Sequence, residues 1–452
     1  MSNLEKNKMG IKPIVPLILE MSLPPLFSMF LQFTYNFVDC MFVAQISEDA
    51  LTAVSLSFPL TTLMLAFSIG VGVGINVLVA RYLGKKEIEE ANNIVSHGLL
   101  LSFFVGVLLS ICFYIILEPY FALYVDNPQI LKLSMEYMNV CVFIQLPNMV
   151  HIAIQKILQG TGNMLAPMGF QIAGVVLNFI LDPILIHGIG PFPKMGVQGA
   201  AVSTVLGYTL SMLIAFYILI FTKQKVRIKI KGFRFKSSIW REILVCGIPS
   251  FIMNALGAFM VTFTNAFLVV YSTTAVAFFG AYFKAQQLVV MTVNGLIQGC
   301  IPIMSFNYGA GNKKRLRDTF LYGTEIAVFL MALGAIVLST FPQQILKIFM
   351  ASDEMLDFGI PALRMMATSY VFNGIATMVA SYMQSINNIK SSILINILRQ
   401  CMALFPIMWL LTKCMGMSGV WLAFPMAEVI TCLYCIYILR KNVDKNKELI
   451  VK

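Results

Sequence analysis

Apolar stretches of 20 or more residues recur from one end of this chain to the other, separated by short polar breaks. A bilayer's hydrocarbon core is about 30 Å thick and takes about 20 helical residues to cross. Lipid supplies no partner for a free backbone amide or carbonyl, so stretches of this kind read as membrane helices. Twelve spans are predicted, at 14–43, 53–80, 94–117, 133–157, 166–187, 198–221, 240–270, 274–304, 319–341, 360–384, 392–413 and 418–439. A soluble domain of 452 residues would not be 58% hydrophobic and 12% charged, with a mean hydropathy of +0.82. The expected class is therefore an all-α polytopic membrane protein. Lys6, Lys8 and Lys12 precede the first stretch, but it is too long for a secretory signal and lacks a small-residue cleavage site, so it is read as the first membrane helix. The nine cysteines form no disulfide framework, and Cys432-x-x-Cys435 is an i,i+3 pair on a predicted membrane helix rather than a redox or metal motif.

Twelve spans put both termini on one side. That side carries 25 Lys and Arg: Lys6, Lys8, Lys12, Arg81, Lys85, Lys86, Lys156, the 223–241 group, Lys313, Lys314, Arg315, Arg317, Lys390 and the C-terminal group from Arg440 to Lys452. The other side carries five: Lys132, Lys194, Lys347, Arg364 and Lys413. By the positive-inside rule both termini and the 222–241 connection are predicted cytoplasmic, and the net charge of +11 mainly records topology. The alternating Lys225, Arg227, Lys229, Lys231 run fits a linker over anionic headgroups better than a nucleic-acid site. Three segments follow: residues 1–221, a basic linker at 222–241, and residues 242–452.

One constant shift along the sequence lays Pro24 on Pro249, Gly84 on Gly309, Gly98 on Gly323, Gln159 on Gln384 and Asn163 on Asn388. Six spans is an even number, so the two repeats run in the same direction, related by an axis along the membrane normal, with a path between them. Polar residues break this symmetry. Asp39 lies inside the first span and Asn178 and Asp182 inside the fifth, whereas the positions at the same offset in the second repeat are Thr264, Ala403 and Ile407. An intramembrane carboxylate costs about 2.5–3.5 kcal/mol on insertion scales, so its default reading is functional. The alternative is a plain hydrogen bond across a helix interface. Tyr35 and Asp39, and Asn178 and Asp182, are i,i+4 pairs that each share a helix face. Pro183 cannot donate to the carbonyl of Phe179, which frees an acceptor in the same turn. Carboxylates, an amide oxygen and a free carbonyl suit Na⁺; sufficiently desolvated carboxylates hold protons instead. Glu20, Glu325 and Glu428 are weaker candidates, and Lys284 is expected to be buried as a structural partner for one of the acids.

The stretches YNFVDCMFVAQIS (35–47), LQGTGNMLAPM (158–168), NFILDPILI (178–186) and GVQGAAVST (196–204) resemble motifs of the multidrug and toxic compound extrusion (MATE) family. QGCIPIMSFNYGAGNKKR (298–315) and ASYMQSINNIKSSILINILRQ (380–400) are similar to its MepA-like bacterial branch. The resemblance covers essentially the whole chain. It implies two six-helix bundles set as a V around a central cavity in a bacterial cytoplasmic membrane, and export of amphipathic, often cationic drugs or metabolites driven by H⁺ or Na⁺. It carries ion-coupling roles onto Asp39, Asn178, Asp182 and Thr204, with Na⁺ as a possible ligand of the first three. Cavity roles fall on Gln32, Tyr35, Asn36, Tyr137 and Gln155. Helix 7 and helix 10 carboxylates of another branch are replaced here by Gly257 and Asn373, which argues against a coupling site in the second half. The implied unit is a monomer in contact with membrane lipid, with no organic cofactor and no nucleic-acid partner.

Pro24 and Pro25 weaken the first helix and offer it a bend. Gly70-x-Gly72-x-Gly74, inside an apolar helix, reads as close helix packing, and no phosphate loop with its Lys-Ser/Thr follows it. Met253, Met260 and Met291 read as packing. A flippase of lipid-linked saccharides is the main alternative cargo class, although only Lys284 and Arg399 supply cations within spans away from their ends. An intramembrane enzyme is disfavoured because His97, His151 and His187 lack metal-ligand spacing and no catalytic constellation assembles.

Overall fold

The computed structural model describes residues 7–125, 127–229, 232–349 and 351–448. Lys6, Lys231 and Lys452 of the charge pattern lie outside the described residues. The long helices are α1 (Ile14–Ala44), α2 (Glu48–Gly84), α3 (Ile88–Tyr124), α4 (Pro128–Gly160), α5 (Leu165–His187), α6 (Val197–Phe221), α7 (Ser237–Leu268), α8 (Thr273–Gly309) and α9 (Lys313–Thr340). The tenth predicted span is two helices, Asp353–Ala367 and Ser369–Ser385, which meet at Thr368 (together α10). The eleventh, α11, comprises Ile389–Ile397, a π turn at Leu398–Met402 and Leu404–Met415, and α12 runs Met417–Glu448. Most helices outrun their predicted spans by several residues, because polar turns at the membrane surface continue the helix where hydropathy has already fallen. Eleven of the segments are long and apolar enough to cross a bilayer unaided; the broken tenth is not among them.

Packing divides the chain into lobes of α1–α6 and α7–α12, joined where α2 lies on α7 and α8, and α1 on α8. The offset that lays Pro24 on Pro249 is visible atom by atom. Ser47 Oγ accepts the Ala50 amide at 3.0 Å and Ser272 Oγ the Ala275 amide at 3.0 Å. Asn163 and Asn388 cap Ala166 and Ser391 in the same way. The left-handed turns also pair, Lys86 (φ 65°) with Gly311 (69°) and Gly162 (89°) with Asn387 (66°). At the seam a Cβ on Gly84 would collide with the carbonyl of Phe306, and a Cβ on Gly309 with that of Arg81, the counterpart of Phe306 in the first repeat. Gly70 meets Phe251 as Gly295 meets Leu26. The small residues let the backbones touch, which is how membrane helices gain contact without a hydrophobic drive.

The offset does not hold to the end. Gly199 lies on the backbone of Leu185, and its counterpart Gly419 on that of Leu411, so α12 falls short of the earlier shift while late α11 overshoots it by one position. The π turn supplies the extra residue in α11: the Ala403 amide donates to the Leu398 carbonyl five positions back, at 2.8 Å. The counterparts of Asn178 and Asp182 are therefore Leu404 and Met408, not Ala403 and Ile407, and both are fully buried apolar side chains. Thr264 remains opposite Asp39 and donates to its own helix at Met260.

The linker is docked rather than spread over lipid. Val226 is buried and Ile228 packs beside it, while the amides of Arg227, Lys229 and Lys236 donate to Asn92 Oδ1, Ser96 Oγ and His97 Nε2 along one face of α3. Lys225 Nζ bonds Asn7 Oδ1 at 3.0 Å and the Thr161 carbonyl at 3.1 Å. Burial and the nearby Lys8 charge hold its ammonium below the usual lysine range. Lys225→Gln, expected from sequence to do little, should instead loosen the linker. A loss of about 1 kcal/mol, after discounting for partial exposure, is expected as a lower Tm in detergent with transport otherwise intact; an unchanged Tm would count against this docking.

Two other cations counted as flanking charges are inside the seam. Arg81 is 5% exposed, with its guanidinium on Asn387 Oδ1 (3.2 Å) and the Ser385 carbonyl (3.3 Å), and Lys156 is 6% exposed between the lobes. Further bonds across the seam include those of Ser22 and Leu296, Lys156 and Gln298, Asn307 and Met9, and Arg315 with Met9 and Lys12. All these contacts lie in the half of the bundle that carries the chain termini, so the lobes are closed at that end.

Candidate functional site

Three helices of the first lobe build the polar centre. At the α5–α6 crossing a Cβ on Gly207 would press on the Gly174 carbonyl and on Asn178 Cβ, so the two glycines bring the helix axes close enough for side-chain hydrogen bonds. Asn178 Nδ2 donates to Thr204 Oγ1 at 3.1 Å and reaches Ser203 Oγ at 3.4 Å. Ser203 Oγ is hydrogen-bonded to Asp182 Oδ1. From α1, Tyr35 Oη meets Thr204 Oγ1 at 2.9 Å. Because Thr204 donates to the Ala200 carbonyl (2.9 Å), the Tyr35 hydroxyl is the donor in that pair. Asp39, one turn beyond Tyr35, is buried near enough to Asp182 for the two charges to act on each other.

What remains unpaired is more informative. Among the described residues, Asp39 Oδ1, Asn178 Oδ1 and Asp182 Oδ2 are buried acceptors without a donor. Among the described residues no Lys, Arg or His forms an ion pair with either aspartate. Two carboxylates removed from water, with no cationic side chain beside them, require a proton or a metal cation to balance their charge. The orphan oxygens of two carboxylates and one amide are a donor set that suits Na⁺, and the carboxylates suit H⁺ equally.

A small cavity adjoins this cluster, lined among others by Gln32, Tyr35, His151, Gln171, Asn178, Thr204 and Tyr208. Gln155 Nε2 donates to Gln171 Oε1 (3.3 Å), whose own amide donates to Gln32 Oε1 (3.2 Å), so a chain of three amides crosses from α4 through α5 to α1. Tyr137 stands beside Cys141, Tyr35 and Asp39. Asn36 is the exception: it is exposed and outside both the cluster and the cavity lining, although it stands one turn after Gln32 on α1. Sequence reasoning did not single out Ser203, Gln171 or Tyr208. Their signal was periodicity: Gln171 lies two helical turns before Asn178 and Tyr208 one turn after Thr204, on the faces already marked as polar.

The remaining acids are placed differently. Glu20 is paired with Lys8 (2.8 Å) and Lys12 (2.6 Å) at the terminal end of α1. Glu325 is exposed. Glu428 is buried in the second lobe, where its Oε1 accepts from Asn373 Nδ2 at 3.0 Å and pairs with Arg399 Nε at 3.4 Å beside the π turn. The second lobe thus balances its buried acid with its own guanidinium, and the first does not. Lys284 is exposed on α8 in the neighbourhood of Cys40 and pairs with none of the acids, contrary to the expectation that it is buried among them.

Comparison with known proteins agrees with this architecture. The chain is 27% identical to a protein named FAD transporter from Shewanella oneidensis over 436 residues, 96% of each chain. It is 22% identical to the multidrug export protein MepA of Staphylococcus haemolyticus over 442 residues, again 96% of each. Its fold matches the outward-facing structure of a multidrug resistance MATE family transporter of the MOP superfamily with a TM-score of 0.92, at 24% identity, over 99% of this chain and 100% of that one. The sequence model of the MatE family matches residues 24–184 and again 249–410, two segments that begin at the equivalent prolines of the two repeats and together cover more than half of the chain. This multi-pass membrane protein belongs to the MatE family of transporters.

Proposed function

We propose that this chain is a secondary-active efflux antiporter that exports amphipathic small molecules, lipophilic cations among them, in exchange for H⁺ or Na⁺. The observation that carries this reading is the set of three unpaired buried oxygens on Asp39, Asn178 and Asp182, in a cluster with no cation of its own. The names of the relatives, multidrug export and FAD transport, favour organic cargo.

α1 is suited to transmit ion binding. One side of it bears Tyr35 and Asp39 in the cluster, and the opposite lobe is met lower down, where Ser22 Oγ bonds the Leu296 carbonyl at 3.2 Å and Leu26 packs on Gly295. Within that contact, Pro24 and Pro25 leave the carbonyls of Glu20 and Met21 without helical donors, so α1 flexes there at low cost. A cation reaching Asp39 and Asp182 rearranges the Tyr35–Thr204 and Gln32–Gln171 contacts and, through α1, the seam. With the termini in the cytoplasm, as the basic residues favour, the closed end faces inward and this state opens outward.

The test is efflux of a fluorescent lipophilic cation from proteoliposomes under an imposed H⁺ gradient and then a Na⁺ gradient. Export driven by one of them identifies the ion; no gradient-dependent movement of any cargo under either rejects the antiport reading.

A further inference from the structure

Lys156 sits one turn before the end of α4 and is 6% exposed. Its position is built rather than incidental. A Cβ on Gly72 would press on its Cγ, so that glycine makes room for the stem, and Asn76 Nδ2 holds its backbone carbonyl at 3.1 Å. The ammonium bonds Gln159 Oε1 at 2.9 Å on its own helix and Gln298 Oε1 at 2.8 Å on α8 of the other lobe. No carboxylate forms an ion pair with it among the described residues. Gln298 is three helical turns from the end of α8, about 16 Å into the bundle. An ammonium this deep, ligated only by neutral amides, is costly, and a neutral donor would bridge the same glutamines.

The arrangement makes sense when the seam opens. Gln298 departs with its lobe, and Lys156 is left on the wall of the new cleft near its terminal mouth, with a full charge and free donors. Gln155, its neighbour, points about 100° away around α4 into the first lobe, where it begins the amide chain to Gln171 and Gln32. A cation on the cleft wall beside the Gln159 amide is complementary to a phosphate. When the seam closes, Gln298 Oε1 returns to the ammonium and takes the anion's place, which drives release. Lys284, exposed on α8 and without an ion pair among the described residues, is two heptads from Gln298 and so on nearly the same face, and adds a second positive charge about 21 Å further along the helix.

We infer that Lys156 is the anion-binding subsite of this transporter, exposed only when the lobes part at the terminal end, and that its cargo includes phosphorylated organic molecules. This rests on the efflux reading above. The experiment measures export of flavin mononucleotide and riboflavin, which share one ring system and differ by a phosphate, from proteoliposomes that also receive ethidium. Wild type is expected to export the phosphorylated flavin at least tenfold faster than riboflavin. Lys156→Gln should collapse that ratio to near one, and Lys156→Arg should retain most of it. A ratio unchanged in Lys156→Gln overturns the inference, including the case where all rates fall together, since a purely structural lysine has no preference for the phosphate. Wild type that exports ethidium but neither flavin overturns it and leaves efflux standing; wild type that moves none of the three rejects the efflux reading itself, and the inference with it.

Discussion

Asp182→Asn is expected to abolish gradient-driven export while the protein still folds and reaches the membrane. Asparagine fills the same volume, so Ser203 and the α5–α6 crossing keep their packing, but the carboxylate facing the orphan site becomes a neutral amide that neither takes up a proton nor neutralises a cation. Losing one partner of a buried charge contact costs about 2–5 kcal/mol, so ion affinity should drop at least about thirtyfold. Asp39→Asn should behave alike, since the two aspartates share one cluster, and the double variant should be scarcely worse than either single one. The measurement is efflux under the effective gradient, with Tm and surface expression read on the same samples. Near wild-type export by either variant would remove the cluster from the coupling mechanism.

Gly74→Val should be nearly as severe, for a reason unconnected with charge. A Cβ on Gly74 would collide with the carbonyl of Ile243 in the other lobe, and backbone has no way to yield as a flexible side chain does. Overpacking of this kind costs about 3 kcal/mol against the closed seam, about a hundredfold in its population. Export should fall to background, and Cys246, 1% exposed on α7 beside the contact, should become reactive to a maleimide added from the terminal side. Mass spectrometry of the Cys246 peptide separates this from labelling of Cys40, Cys112 and Cys414, which are exposed already. If Cys246 stays protected and export persists, closure of this seam is not part of the cycle.

These two variants mark how far the sequence could be read. Asp39, Asn178 and Asp182 were visible because charge and amide groups within apolar helices are rare, and their i,i+4 spacing already placed each pair on one face. Ser203 was not, since a serine in a membrane helix ordinarily bonds its own backbone and only the α5–α6 crossing turns it onto Asp182. Lys156 and Arg81 were read as topology markers because they fall near predicted span ends; helices that continue past those ends carry both into the seam.

The sequence by itself determined the class, the helix count in outline, the internal repeat and the lobe that carries unpaired acids, because hydropathy, punctuating glycines and prolines, and the cost of a buried carboxylate are local quantities. The tertiary structure alone decided the rest. One added residue in a π turn moved the register of α11, so Leu404 and Met408 face the positions of Asn178 and Asp182. The hydrogen bonds of Lys225 turned a basic linker into a docked strap, and closure of the seam gave Lys156 its partner on the opposite lobe. Each depends on how helices far apart in the chain approach one another, which no window of sequence contains.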